Sequence, residues 1–239
     1  MNRFLPPAAS AHAGSIDSML AHVHEMMLVL FAGWLIYFVY MLFRYRAGRH
    51  PAAKAAGTQG RVAMFVFVGV VVTEAVLLVG SALPLWFLRT GPPPASDSPV
   101  VIRIVAQQFQ WNVHYSGLDG RFGDTSMKLI TDTNPVGLDR NSPYGKDDLV
   151  APGDLHLPVN RPVIIELSTL DVIHSFGIPA MRVKQDVLPG VSSSVWFTPT
   201  QTGEFEVACS QLCGAGHYRM RAVVTVESEQ AYRAFLATK

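Results

Sequence analysis

The sequence predicts a two-helix transmembrane hairpin followed by an all-β sandwich. Three observations carry this. Two early stretches are almost free of charge, a Pro-rich segment follows them, and beyond it the pattern changes to short runs of β-branched and aromatic residues. The apolar share of 49% is ordinary as an average. It conceals a membrane half and, after residue 97, a soluble half with normal charge.

Residues 1–25 form an N-terminal external segment, within which Ser15 to Glu25 is expected to be a short helix leading into the membrane. Residues 26–88 form the hairpin. Its first apolar stretch, 26–43, holds eighteen residues without a charge, and its second, 62–88, holds only Glu74. About 20 residues of helix cross a bilayer, so both suffice. Buried core helices are the alternative. Tyr37, Tyr40, Trp86 and Phe87 near the segment ends and the flanking arginines favour the membrane. The connecting loop, 44–61, carries Arg44, Arg46, Arg49, Lys54 and Arg61 and no acid. Basic residues near membrane ends stay cytoplasmic, so the loop is expected inside and both termini outside. No cleaved signal peptide is expected, because residues 1–25 lack an apolar core behind a basic start.

Residues 89–99 (RTGPPPASDSP) read as a linker, since consecutive prolines cannot continue a helix and favour an extended spacer. Residues 100–239 then read as one β domain. Short strands are expected at 100–106, 110–115, 163–168, 193–198, 205–209 and 222–227, separated by Gly, Pro, Asn and Asp. The stretch 120–153 has few apolar runs and is expected to be a long surface excursion. The last twelve residues read as a helix capped by Ser228, with Tyr232, Phe235 and Leu236 on one side. No internal repeat is present. The net charge of +1 argues against nucleic acid as a partner.

The chemistry concentrates in residues 209–220, CSQLCGAGHYRM, which place Cys209, Cys213, His217 and Met220 in one loop. His174 lies upstream, expected just after a strand. Thiolate, imidazole and thioether suit copper. One distant His plus a Cys–His–Met loop between two strands is the ligand layout of a cupredoxin-like copper domain. The second cysteine lets two sulfurs bridge two metal ions, so a shared electron perturbs each bond less than one held on a single ion. Alternatives stay open at this point. The two cysteines are the only ones in the chain and could pair as a disulfide. Zinc also takes Cys and His, although Met and a single upstream His fit it poorly. His217 and Met220 taken alone could be a surface histidine and a core methionine.

Over nearly its whole length the chain resembles subunit 2 of cytochrome c oxidase, the CuA-bearing subunit of haem-copper oxidases. The motifs DVIHSF (171–176), KQDVLPG (184–190) and CSQLCGAGHYRM carry the resemblance. It implies two copper ions held by His174, Cys209, Cys213, His217, Met220 and the backbone carbonyl of Gln211, with both cysteines bridging. It further implies electrons taken from cytochrome c and passed to haem in subunit 1, where oxygen is reduced and protons are pumped. Implied partners are subunit 1, subunit 3 and a separate cytochrome c, since no fused cytochrome follows residue 239. The copper domain would lie on the periplasmic, outer side of the membrane.

Two departures from the family pattern bear on function. Gln211 stands where the family has a Glu whose side chain helps bind interface magnesium, and a neutral carbonyl is a weaker partner for a hard cation. The magnesium site is therefore doubtful. Phe109, in Gln108-Phe109-Gln110-Trp111, stands where the family has its electron-uptake tryptophan, so uptake is expected through Phe109, Trp111 or Tyr115, or from an unusual donor. Residues 97–239 carry 15 acidic and 12 basic side chains, a small excess that suits a basic donor. Glu74, about 18 Å into its helix, is expected to face protein, as a protonated structural contact or a proton relay. The alternative functions are the same dicopper module in a haem-copper nitric oxide reductase, a copper-delivery protein, and a quinol oxidase subunit. The last is disfavoured by the complete ligand set.

Overall fold

The computed structural model describes residues 5–48, 60–93 and 99–238. The chain divides into two compact units, Ser15–Pro92 on the one hand and Met1–Gly14 with Pro93–Lys239 on the other. Arg49, Lys54 and linker residues 94–98, all used in the sequence reading, lie outside the described residues.

The first unit is a pair of helices. Helix α1 (Ala13–Arg44) runs 32 residues without interruption, so the expected lead-in and the span are one helix. At 1.5 Å per residue it extends about 48 Å, more than the ~30 Å hydrocarbon core. The second run comprises α2 (Arg61–Leu77), a π-helical turn (Leu78–Ala82) and α3 (Leu83–Thr90). Pro84 lacks the N–H of a helical ladder and its ring crowds the preceding turn. The wider turn sits immediately before it, where it relieves that crowding. The apolar windows of both runs are 0% buried within the chain, with Trp34 69% and Phe65 73% exposed. A soluble core helix would be covered; these two are membrane-spanning.

The second unit is a sandwich of two five-stranded sheets. The strands are β1 (Val100–Gln107), β2 (Gln110–Tyr115), β3 (Leu149–Pro152), β4 (Asp154–Pro158), β5 (Val163–Thr169), β6 (His174–Ile178), β7 (Val183–Val187), β8 (Ser193–Phe197), β9 (Gly203–Cys209) and β10 (Arg221–Glu227). One sheet has the order β3-β2-β1-β5-β8 and the other β4-β10-β9-β6-β7. Alternation places Ile102, Ile104, Ile165 and Leu167 inward from the first sheet, against Val207, Val224 and Phe176 from the second. The chain changes sheets at Gly153, whose φ of 76° is natural only to glycine. There Gly153 N–H donates to Trp111 O and Val223 N–H donates to Gly153 O, one contact to each sheet.

Several elements depart from the sequence reading. His174, expected in a loop after the strand that ends at Thr169, instead opens the next strand, β6. The excursion is not merely surface: it ends in β3, buries Val136, Leu138 and Asp148, and covers the outer face of β2. The N-terminal segment is part of the sandwich. Ala9 is fully buried in its core, its N–H donates to Ala180 O, and its carbonyl accepts from Thr200 N–H. Arg182 donates to the carbonyls of Pro6 and Pro7. The terminal helix α4 (Glu229–Leu236) matches expectation. Ser228 Oγ caps it by accepting from Ala231 N–H at 3.2 Å, and Tyr232 and Leu236 are buried.

Candidate metal centre

The loop between β9 and β10 is closed at its base by Cys209 N–H donating to Met220 O at 3.1 Å. The antiparallel pairing of the two strands therefore fixes the separation of the first and last candidate ligands. Ser210 N–H donates to Ser175 O at 2.9 Å, which docks the loop on β6 beside His174. β6 is in turn held by Ser175 Oγ–H donating to Asp186 Oδ1 at 2.6 Å, with Lys184 3.1 Å from the same oxygen. These contacts are what the 184–190 motif supplies. They hold the Asp186 carboxyl below its usual range, first through the Ser175 hydrogen bond and then through Lys184.

Five side chains converge. The ligand atoms of His174, Cys209 and Cys213 lie within 4.8 Å of one another, and all three residues are buried. Cys213 Sγ is 3.9 Å from Cys209 Sγ, 3.7 Å from His217 Nδ1 and 3.7 Å from Met220 Sδ. Cys209 Sγ lies 3.2 Å from the Gln211 carbonyl oxygen. Both cysteines are free thiols. Burial, and then Cys209, push the Cys213 thiol up to about 11, which is where an apolar pocket holds a thiol until a metal displaces its proton.

His174 makes the strongest case for a metal. Its ring is fully buried, Nε2 lies 2.9 Å from Asp171 Oδ1, and Nδ1 is buried without a hydrogen-bond partner. An orphaned buried nitrogen is costly, and here it sits on a ring grouped with the two sulfurs. The carboxylate on the opposite ring nitrogen fixes the tautomer that leaves Nδ1 as the lone pair, the arrangement by which proteins orient metal-binding histidines. The donors present, two thiolates, two imidazoles and a thioether, fit copper.

Asp171 and Gln108 were missed by the sequence reading. Asp171 Oδ2 accepts from Gln108 N–H at 2.7 Å, and Gln108 Nε2–H donates to Cys213 O at 2.6 Å. Hydrogen bonds from His174, Gln108 and Val172 hold the Asp171 carboxyl below its usual range against the opposing effect of burial. The only advance signal for Asp171 was its position three residues before His174. Phe109, half-buried, packs on the same loop. A Cβ at Gly214 would come 3.1 Å from its ring, and one at Gly216 would overlap it. Glycines at these positions admit the ring. Arg219 lies 5.8 Å over its face.

The remaining predicted residues lie elsewhere. Trp111 is fully buried, with edge contacts to His174 at 6.0 Å and Phe176 at 5.6 Å. Tyr115 is buried and donates to Asp154 O. The Gln211 side chain is exposed. Glu74 is exposed on α2, outside the cleft that Val66, Val70, Thr73 and Leu77 form with α1.

Comparison with known proteins now decides the family. The profile of "Cytochrome C oxidase subunit II, periplasmic domain" matches residues 100–227, a span holding both sheets and every candidate ligand. This chain belongs to the cytochrome c oxidase subunit 2 family. It is 35% identical over 224 residues to the "Alternative cytochrome c oxidase subunit 2" of Bradyrhizobium diazoefficiens, covering 93% of this chain and 79% of that one. It is 29% identical to the "Cytochrome c oxidase subunit 2" of Cereibacter sphaeroides, covering 87% and 70%. Among solved structures, the periplasmic domain of subunit II of cytochrome oxidase (CoxB) of Bradyrhizobium japonicum aligns at 26% identity over 61% of this chain, with a TM-score of 0.44. As a subunit 2 family member the chain is an oxidase component with two membrane-spanning helices and a cupredoxin-like sandwich.

Proposed function

We propose that this chain is the electron-accepting subunit of a haem-copper terminal oxidase. In this reading residues 1–25 and 100–239 lie outside the membrane, residues 26–88 span it, and residues 89–99 link the two halves. The observation that carries the reading is a buried His174 ring, with an orphaned Nδ1, grouped with two free thiols beside His217 and Met220.

His174, Cys209, Cys213, His217, Met220 and the Gln211 carbonyl would hold two copper ions. Held there, the pair would supply one-electron exchange between cytochrome c and the haem of subunit 1, in support of oxygen reduction and proton pumping. The chain's own residues prepare that exchange. Asp171 fixes the His174 tautomer. The strand pairing at Cys209 and Met220 holds the loop rigid, so little must rearrange when charge changes. Burial keeps water from the sulfurs. Phe109, packed on Gly214 and Gly216, is the partly exposed ring over the loop and takes up electrons from the donor. Trp111 stands behind His174 in the core. Glu74 faces subunit 1, as a structural contact or a proton relay. Subunit 3 completes the assembly, and Gln211 leaves the interface magnesium weak.

Mixing the copper-loaded, membrane-extracted chain with reduced cytochrome c tests the reading. Rapid oxidation of the cytochrome, lost in Cys213→Ser, is expected. A copper-loaded chain that accepts no electron from any c-type cytochrome contradicts it and leaves copper delivery as the better reading.

A further inference from the structure

A second polar site lies on the outer face of the β3-β2-β1-β5-β8 sheet. His114, Arg103, Glu166 and Ser194 occupy one row across it: His114 pairs with Arg103, Arg103 with Glu166, and Glu166 with Ser194. Outward residues of a sheet are ordinarily solvated. Here the excursion folds over the His114 end of the row, whose side chain is 1% exposed, while Arg103 and Glu166 stay 40% and 46% exposed. Between the excursion and the edge strand lies a cavity of about 580 Å³, lined by these four residues with Thr125 and Ser168, among others. That is the size of a small-molecule site.

The row is equipped to bind. Asp148 Oδ2 accepts from His114 Nε2–H at 2.6 Å and from Gly123 N–H at 2.8 Å, which fixes the ring. No hydrogen bond to His114 Nδ1 occurs among the described residues, and the ring lines the cavity. Burial, the largest effect, keeps the imidazole neutral, with Arg103 and Arg140 adding to it against Asp148. Nδ1 is thus a fixed acceptor. Arg103 stacks over Phe122 at 4.1 Å and donates its Nε–H to Glu166 at 2.9 Å. Its terminal nitrogens find no protein partner among the described residues, so they remain as donors. Serine and threonine hydroxyls complete the wall.

We propose that this cavity binds a small uncharged polyhydroxy compound, a monosaccharide or sugar alcohol. The ion pair of Arg103 and Glu166 balances its own charge, so an oxyanion drawn to Arg103 would meet Glu166 and the lone pair of His114, both acceptors. A hydroxyl group supplies a donor and an acceptor together. A polyol therefore satisfies His114 Nδ1, Glu166 and the Arg103 N–H groups at once. Val105 and Val136 in the same lining meet its C–H faces.

The test uses the full copper-loaded chain in an amine-oxide detergent, because a maltoside would present the same chemistry. Glucose and mannitol are the probes, read by saturation-transfer NMR. Transfer to the sugar protons is expected. It should be lost in Ser194→Phe, which fills the cavity from an exposed position, while the thermal melt and the copper absorption stay as in wild type. Inorganic phosphate should not displace the sugar. Absence of transfer in the wild type, equal transfer in Ser194→Phe, or displacement by phosphate would each overturn the proposal.

Discussion

Asp171 Oδ1 lies 2.9 Å from His174 Nε2, on a ring grouped with the two cysteine sulfurs, and this contact leaves Nδ1 as the ring nitrogen without a protein partner. The same carboxylate accepts the Gln108 N–H. One side chain thereby orients a candidate copper ligand and ties down the segment that presents Phe109.

Removing that carboxylate should loosen the metal without unfolding the sandwich. Asp171→Ala is expected to weaken copper binding about 10–100-fold, the usual cost of losing such a partner. It should also shift the absorption bands of the bound metal. Asp171→Asn keeps an acceptor and should fall between. Competition with a copper chelator measures this. Unchanged affinity and spectrum in Asp171→Ala would leave the tautomer set by something else.

Electron uptake is expected to pass through Phe109. Phe109→Ala should slow reduction by cytochrome c while copper content stays the same, since the ring packs on Gly214 and Gly216 and supplies no ligand. Trp111→Phe should lower stability instead, because a fully buried indole is replaced by a smaller ring. Stopped-flow kinetics beside a thermal melt separates the two. Uptake at the wild-type rate in Phe109→Ala removes that residue from the route.

Glu74 is the one charge in the apolar part of the second helical run. Glu74→Gln keeps size and most hydrogen bonding and abolishes titration. Under the relay reading, turnover of the assembled oxidase falls while the copper spectrum is normal. Unchanged turnover and proton uptake leave a structural contact, and a complex with Glu74 against acyl chains rules out both.

The buried His114–Asp148 pair predicts a pH dependence. Burial holds the His114 pKa below its usual value of about 6.5. The unfolded chain therefore binds a proton at a higher pH than the folded chain does. This contribution to stability is complete above about pH 6.5 and is lost as pH falls toward the lowered folded value. Asp148 opposes the shift, and Arg103 and Arg140 reinforce it. Melting temperature should drop between neutral and mildly acidic pH, and more steeply than in His114→Gln. Parallel curves for the two proteins would assign the dependence to other groups.

Much of the sandwich was legible because its long strands alternate. β1 reads VVIRIVAQ, with every second side chain buried. β6 was missed because all five of its residues are buried, which leaves no period of two to detect. β3 and β4 are short and end in proline. The N-terminal segment was read as a free lead-in because its partners, Ala180 and Thr200, lie far along the chain and leave no local signal. The five candidate side-chain ligands were legible from chemistry and spacing, whereas the Gln211 carbonyl came only from the family resemblance. Asp171 and Gln108 were not, because their roles exist only once β1, β6 and the loop between β9 and β10 meet. The cavity over His114 was hidden likewise, since Asp148 sits 34 residues away from its partner.

Metal content tests the central claim most directly. The native protein, purified with its metal, should hold two copper ions per chain and give the paramagnetic resonance of one electron shared equally between them. Loss of either thiol, in Cys209→Ser or Cys213→Ser, should abolish that signal. Met220→Leu should change the potential more than the occupancy, because a thioether is a weak ligand. One copper per chain with a localised signal, or zinc in its place, would contradict the account.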